Sequence, residues 1–247
     1  MLTWMIYHGG KMTKGKLYLI PALIADGPVE SVLPEGTLGI LRNLEYFIVE
    51  EIRSARRFLI KAGIQKTIDE LNIQIFNEHS NREDVHEYLD AAELNSHDIG
   101  LLSEAGVPCV ADPGSLIVRV AHELGIRVVP LTGPSSILLA LMASGFNGQN
   151  FAFAGYLPAD KPMRAKKIRE LEKIILEKDQ TQIFIETPYR NLQVFESLTS
   201  ICRPETQLCV ASGISGESEM IQSRSIADWH GRKPDIHKKP TIFLLYR

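Results

Sequence analysis

Leu101–Ser136 reads L-L-S-E-A-G-V-P-C-V-A-D-P-G-S-L-I-V-R-V-A-H-E-L-G-I-R-V-V-P-L-T-G-P-S-S, and the order of residue types along it sets the fold class. An apolar run over Ile99–Ser103 without polar alternation predicts a parallel strand buried on both faces. A turn rich in Gly, Pro and Ala follows. Asp112 and Pro113 read as the N-cap and first residue of a helix whose stripe is Leu116, Ile117, Val120, Ala121 and Leu124, with Gly125 as its stop. Arg127–Leu131 returns as a second parallel strand, making residues 99–131 one βαβ unit, and a second glycine-proline turn leads into Ser135 and Ser136. Small-residue turns at the ends of neighbouring parallel strands are where an open α/β sheet keeps a ligand.

Upstream, Leu17–Ile24 is a strand broken by Pro21, and Tyr46–Glu50 is another, running into Glu50-Glu51-Ile52-Arg53. Ala55, Phe58, Leu59 and Ala62 form a helical face ended by Gly63. Ser80 and Glu83 read as a capping box ahead of Val85, Tyr88, Leu89 and Ala92. Downstream, a domain change is expected in the Pro130–Gly133 connection. The helix from Ser135 to Ser144 is apolar on nearly every face, which predicts burial between layers. Phe151–Ala154 and Gln182–Glu186 read as strands around a charged helix from Asp160 to Lys178, whose inward face is Ile168, Leu171, Ile174 and Ile175. A helix burying Val194, Phe195, Leu198 and Ile201 precedes strands at 207–211, 220–225 and 241–246, and the close spacing of the last two predicts an antiparallel part of a mixed sheet. The fold class is α/β in two domains, residues 13–130 with a mostly parallel sheet and residues 131–247 with a mixed one.

The 247 residues carry a net charge of −3, which excludes a strongly basic nucleic-acid binder and leaves room for a local basic patch. Three cysteines without a C-x-x-C pair argue against a disulfide framework and a zinc site, the histidines form no closely spaced pair, and no metal is expected. A reducing, cytoplasmic setting follows, with no membrane partner, because the most apolar run, around Ile137–Ala143, reaches only about half of the ~20 residues a span needs. Residues 1–12 lack a basic n-region and a cleavage site, and Met12 offers an alternative start, so they are expected to be peripheral.

No G-x-G-x-x-G follows a strand, no P-loop is present, and no G-x-S-x-G elbow exists. What remains is a series of strand-end loops of Gly, Pro, Ser and Ala, which let backbone groups approach a ligand closely; turns use the same residues for structure alone. The order of S-E-A-G-V-P-C-V-A-D-P-G (103–114), V-V-P-L-T-G-P-S-S (128–136), F-A-G-Y-L-P (153–158) and F-I-E-T-P-Y-R (184–190) resembles the tetrapyrrole methylase superfamily of S-adenosylmethionine-dependent methyltransferases. The resemblance runs from about Gly15 to Arg247 and is strongest to the branch that methylates cytidine 2′-hydroxyls of small-subunit ribosomal RNA.

The resemblance implies a cofactor, S-adenosyl-L-methionine, in a cleft between two α/β domains, and usually a homodimer. It places Pro21, Gly106, Val107, Pro108 and Ala111 at the cofactor from the first domain, and Ser135, Ser136, Thr187, Ala211, Ser212 and Gly213 from the second. This chain departs from the branch at P-A-L-I-A-D (21–26, for P-T-P-I-G-N), E-E-I-R (50–53, for E-D-T-R), S-E-A-G-V-P (for S-D-A-G-T-P) and S-G-I-S-G-E (212–217, for R-E-L-T-K). The donor side therefore matches better than the acceptor side.

Methyl transfer from a sulfonium needs alignment and exclusion of water more than activation of the donor. For a ribose hydroxyl, Glu50 is the candidate base, with Arg53 beside it and Arg53 and Arg190 as phosphate contacts; Glu50, Glu51 and Arg53 equally suit a solvated ion-pair cluster. Tyr156 and Arg164 are the further substrate-side candidates. Arg164 belongs to the basic run Lys161–Lys173, which reads either as a solvent face balanced by Glu170, Glu172 and Glu177 or as a phosphate-binding face for ribosomal RNA or the small subunit. Two other functions stay open: a same-fold methyltransferase acting on a tetrapyrrole or another small metabolite, and a non-catalytic S-adenosylmethionine-binding regulator or RNA-binding module.

Overall fold

The computed structural model describes residues 13–247, so the expectations about residues 1–12 lie outside the described residues. The first sheet and its helices run β1 (Lys16–Ile20), α1 (Glu35–Arg42), β2 (Tyr46–Val49), α2 (Ile52–Lys61), β3 (Asn72–Ile75), α3 (Asp90–Glu93), β4 (Ile99–Leu102), α4 (Ser115–Glu123) and β5 (Arg127–Pro130). All five strands are parallel, in the order β3-β2-β4-β1-β5. Their carboxyl ends therefore share one edge. The chain leaves β1 toward β2 and leaves β4 toward β5, in opposite directions, which makes the β4/β1 pair the switch point of the sheet.

Every residue of β4 is buried, as its unbroken apolar run predicts. Leu17, Ile48, Ile99 and Leu101 pack against Ile117, Val120 and Ala121 of α4 and against Val85 and Leu89. On the opposite face a Cβ at Gly100 would stand 2.6 Å from Ile20 Cδ1 and 3.0 Å from Phe47 Cδ1, so the sheet closes only over a glycine there.

In the second sheet, α5 (Ser136–Ser144), β6 (Phe151–Tyr156), α6 (Lys161–Lys178), β7 (Thr181–Glu186), α7 (Asn191–Ile201), β8 (Gln207–Ser212), β9 (Met220–Ser225), α8 (Ile226–Trp229) and β10 (Thr241–Tyr246) follow in order. Strand order is β6-β7-β10-β8-β9, with β6 and β7 parallel and the remaining pairs antiparallel. Helices α6, α7 and α8 cover one face through Ile168, Leu171, Val194, Phe195 and Trp229, and α5 covers the other through Ala140 and Leu141. The two sheets lie in separate compact units, one of residues 13–22 with Pro28–Gly133, the other of Leu23–Gly27 with Pro134–Arg247.

Several local expectations are corrected. The Ser80–Glu83 capping box does not form: Ser80 Oγ accepts from Asn77 N at 3.0 Å, and Glu83–Leu89 is a 3-10 stretch whose first turn is met by Asn81 Oδ1. Asp112 is not the cap of α4, which begins at Ser115 after Gly114. The antiparallel part of the mixed sheet, by contrast, forms as expected, with β10 between β7 and β8 and β9 paired with β8. Helix α5 is not covered all round, since Leu138 is 50% and Met142 78% exposed.

Candidate active site

In the first unit, the carboxyl ends of β1, β2 and β4 bring Pro21, Glu50 and Ser103 to one edge. Glu50 follows β2 directly, and its Oε1 accepts hydrogen bonds from Ser103 Oγ at 3.0 Å and from the Glu104 amide at 3.3 Å. Its Oε2 bonds to none of the described residues. Burial, and then the nearby negative charge of Asp112, push the Glu50 carboxyl above the ordinary carboxylate range, partly offset by the Ser103 and Glu104 hydrogen bonds. Glu51 does different work. Its carboxylate accepts from Arg53 N at 2.8 Å and Ser54 N at 2.7 Å, capping α2, and those bonds hold its pKa below the usual range. Arg53 sits exposed on the first turn of α2. Glu50 and Glu51 are thus separated by function: one is a helix cap, the other a half-buried acid with a free oxygen.

The loop from Ser103 to Gly114 is held by main-chain and Asx bonds. Ala22 and Gly106 exchange two hydrogen bonds, at 2.8 and 3.2 Å, which ties the end of β1 to the loop beyond β4. Asp112 accepts from Cys109 N and from Gly114 N, both at 2.8 Å. Gly106, Cys109 and Ala111 have φ of +71°, +69° and +65°. Two non-glycine residues in the left-handed region within three positions carry strain that Asp112 and the Ala22 bridge hold in place. Gly106 and Pro108 are buried and Val107 is partly exposed, while Glu104, Ala105, Val110 and Ala111 are exposed. The second turn is as tightly built. A Cβ on Gly133 would fall 2.3 Å from Pro21 Cβ, and Thr37 Oγ1 donates to Thr132 O at 2.9 Å.

In the second unit, β6, β7 and β8 run in one direction, so Tyr156, Thr187 and Gly213 lie at a common edge. Thr241 of β10 stands in register between Glu186 and Ser212, and Ser212 Oγ lies 3.0 Å from Thr241 Oγ1. Ala211 and Ser212 are fully buried, and Gly213 turns the chain with φ +60°. Ser135 is the N-cap residue of α5, and Ser136 is its first residue. Thr187 is exposed, with its amide donating to Glu186 Oε1 at 2.7 Å.

The acceptor-side candidates divide. Tyr156 is exposed at the end of β6. Arg190 pairs with Glu186 at 3.0 Å and donates to the carbonyls of Leu157 and Pro158 at 3.3 and 3.2 Å. Arg164 is corrected as a member of an exposed basic face: it is 1% exposed, with Nε donating to Ser197 Oγ at 3.1 Å and Nη1 to the carbonyls of Pro158 and Ala159. Two guanidinium groups therefore hold the Leu157–Ala159 turn that follows Tyr156. Ser103, Asn77 and Asp112 gained no site role from the sequence. The Asp-Pro-Gly triplet three residues after Cys109 is an Asx-turn signal that could have found Asp112.

The residues fit a donor held by main-chain edges: left-handed turns at Gly106, Cys109 and Ala111 redirect the peptide groups of the 103–114 loop, and Ala105 and Ala111 stand exposed on it. Among the described residues no group of three or more possible ligands gathers for a metal, and no helix is long and apolar enough to cross a membrane.

The family model for tetrapyrrole (corrin/porphyrin) methylases matches residues 34–228. The chain is 30% identical over 219 residues to the ribosomal RNA small subunit methyltransferase I of Pseudomonas aeruginosa, an alignment covering 89% of this chain and 73% of that protein. Among solved structures, the methyltransferase CobJ superposes with a TM-score of 0.63 at 16% identity, covering 94% of both chains. Uroporphyrin-III C-methyltransferase from Thermus thermophilus, solved with S-adenosylhomocysteine, gives 0.57 at 17% identity, covering 94% of this chain and 98% of that one.

Proposed function

From the premise that this chain is a methyltransferase of the tetrapyrrole methylase family, we propose that it uses S-adenosyl-L-methionine to methylate a ribose 2′-hydroxyl of small-subunit ribosomal RNA. The observation that carries the acceptor chemistry is Glu50, a strand-end carboxylate with one oxygen held by Ser103 and Glu104 and the other open. S-adenosylmethionine, when bound, supplies a methyl group already activated on a sulfonium. The chain's part is to hold, orient and deprotonate. Pro21, Gly106, Val107, Pro108 and Ala111, with Ser135, Ser136, Thr187, Ala211, Ser212 and Gly213, are the residues proposed to hold the donor.

Glu50 Oε2 takes the proton of the attacking hydroxyl, and the burial and Asp112 charge that raise the proton affinity of its carboxyl suit it to act as a base. Tyr156 and Arg190 contact the acceptor. Arg164 acts only through the turn it holds, and Arg53 offers an exposed cation one helical turn from Glu50. A homodimer working in the cytoplasm belongs to the same proposal; the three free thiols suit a reducing compartment.

The test is methyl transfer from labelled donor to small-subunit ribosomal RNA taken from cells lacking this protein, with tetrapyrroles as parallel acceptors. Label in RNA, recovered as an alkali-resistant dinucleotide, is the expected result. Label confined to the tetrapyrroles overturns the acceptor, and calorimetry showing no binding of S-adenosylmethionine overturns the donor.

A further inference from the structure

A cavity of about 620 Å³ opens beside the Glu50 site, lined by Phe76, Asn77, Arg82, Ser115, Leu116 and Arg119. Its volume is in the range that takes a nucleotide-sized group. Asn77 links it to the acid, since its side-chain amide reaches the Glu50 carbonyl oxygen at 3.5 Å. The polar groups at its mouth are uncommitted. Neither the Arg82 side chain nor Ser115 Oγ bonds to any described residue, and Arg119 has only a 4.0 Å pair with Glu123, in which both side chains are more than half exposed. Such a pair is weak and yields readily to a better anion.

The one carboxylate in the lining, Asp112, directs both oxygens at its own loop amides. A cavity of similar size at the opposite end of the same sheet, beside Tyr18, Tyr46 and His97, carries Glu45 and Asp98 and no arginine, so the cationic lining is particular to the Glu50 end.

We propose that this cavity binds a backbone phosphate of the RNA acceptor, with Arg82 and Arg119 as its charged contacts and Ser115 as a neutral donor. The inference rests on the RNA reading above and adds to it the place where the strand enters. Guanidinium forks match phosphate oxygens in planar, paired hydrogen bonds, so two uncommitted guanidinium groups in one cavity suit a phosphate.

The experiment measures binding of small-subunit ribosomal RNA from cells lacking this protein, as a function of salt, for wild type and for the R82A/R119A double variant. Both positions are exposed, and unchanged affinity for S-adenosylmethionine checks that the variant is folded. The expected result is RNA affinity lower by roughly an order of magnitude at low salt, and a slope of log affinity against log salt shallower by about 0.7, the value for one lost phosphate contact on a single strand. KM for RNA rises while kcat at saturation holds. A wild type that binds RNA and a double variant with the same affinity and slope overturn this site alone. A wild type that binds no RNA overturns it together with the acceptor.

Discussion

Glu50 and Glu51 are neighbours with opposite electrostatics, and the difference follows from where each carboxylate points. Glu51 turns back onto the open amides of α2 and is stabilised as an anion, while Glu50 enters the sheet edge and is desolvated next to Asp112. Replacement of Glu50 by Gln should lower the methyl-transfer rate by about 100-fold or more, as loss of a general base does. The same change should raise the melting temperature at neutral pH. A carboxyl whose folded pKa lies above its unfolded value contributes stability below the unfolded pKa and loses it as pH climbs through the folded one, so the amide removes a cost that exists only at the higher pH. Melting curves at pH 4 and pH 8 check this: the gain should appear at pH 8 only. Ser103→Ala should act in the other direction. Without the hydroxyl that favours the ionised form, the Glu50 pKa climbs further, and the acidic limb of the pH–rate profile moves to higher pH.

At the scale of elements, the packed turn at Gly133 matters most. Gly133→Ala drives a methyl group into the Pro21 ring and should destabilise the fold by about 1–3 kcal/mol, measured by urea unfolding, with weaker donor binding as a second effect. Much of this level was legible from sequence, because β4 and α4 carry unambiguous burial patterns. Short, polar or glycine-bearing pieces were not. The edge strand Asn72–Ile75 has no residue classed as buried, so no apolar signature marks it, and α1 contains Gly36 and Gly39.

Arg164 shows a different failure. Charge suggested a solvent face, yet its spacing to Ile168, Leu171 and Ile175 puts it on the buried stripe of α6, where the periodicity should have outweighed the charge. The site was legible in its glycine and proline turns and not in its fastenings, since Asp112, Ser103 and Asn77 work through contacts between distant loops. Contacts between distant stretches also set Gly216, where a Cβ would lie 2.9 Å from Ala25 Cβ.

At the scale of the whole molecule, each unit has its own buried core, and the proposed donor contacts draw on loops of both. S-adenosylmethionine at about 100 times its Kd should add about 2.7 kcal/mol to stability. Hydrogen exchange should slow in residues 103–114 and in 211–216 together; protection in one segment alone would sink the shared donor. The net charge of −3 gives no global pull toward RNA, so attraction has to be local.

The thiols have a practical bearing. Burial, with the charge of Glu172 at Cys202 and those of Asp112 and Glu50 at Cys109, pushes both thiols up to about 12, and burial also raises Cys209. At pH 8 the folded chain should therefore be almost silent to maleimide and iodoacetamide, with three equivalents appearing only on denaturation, as a thiol titration would count. A cysteine introduced at the exposed Met163, just beyond the Leu157–Ala159 turn, would then carry a fluorophore or spin label on an otherwise unreactive background, leaving every native thiol in place while acceptor arrival is watched in real time.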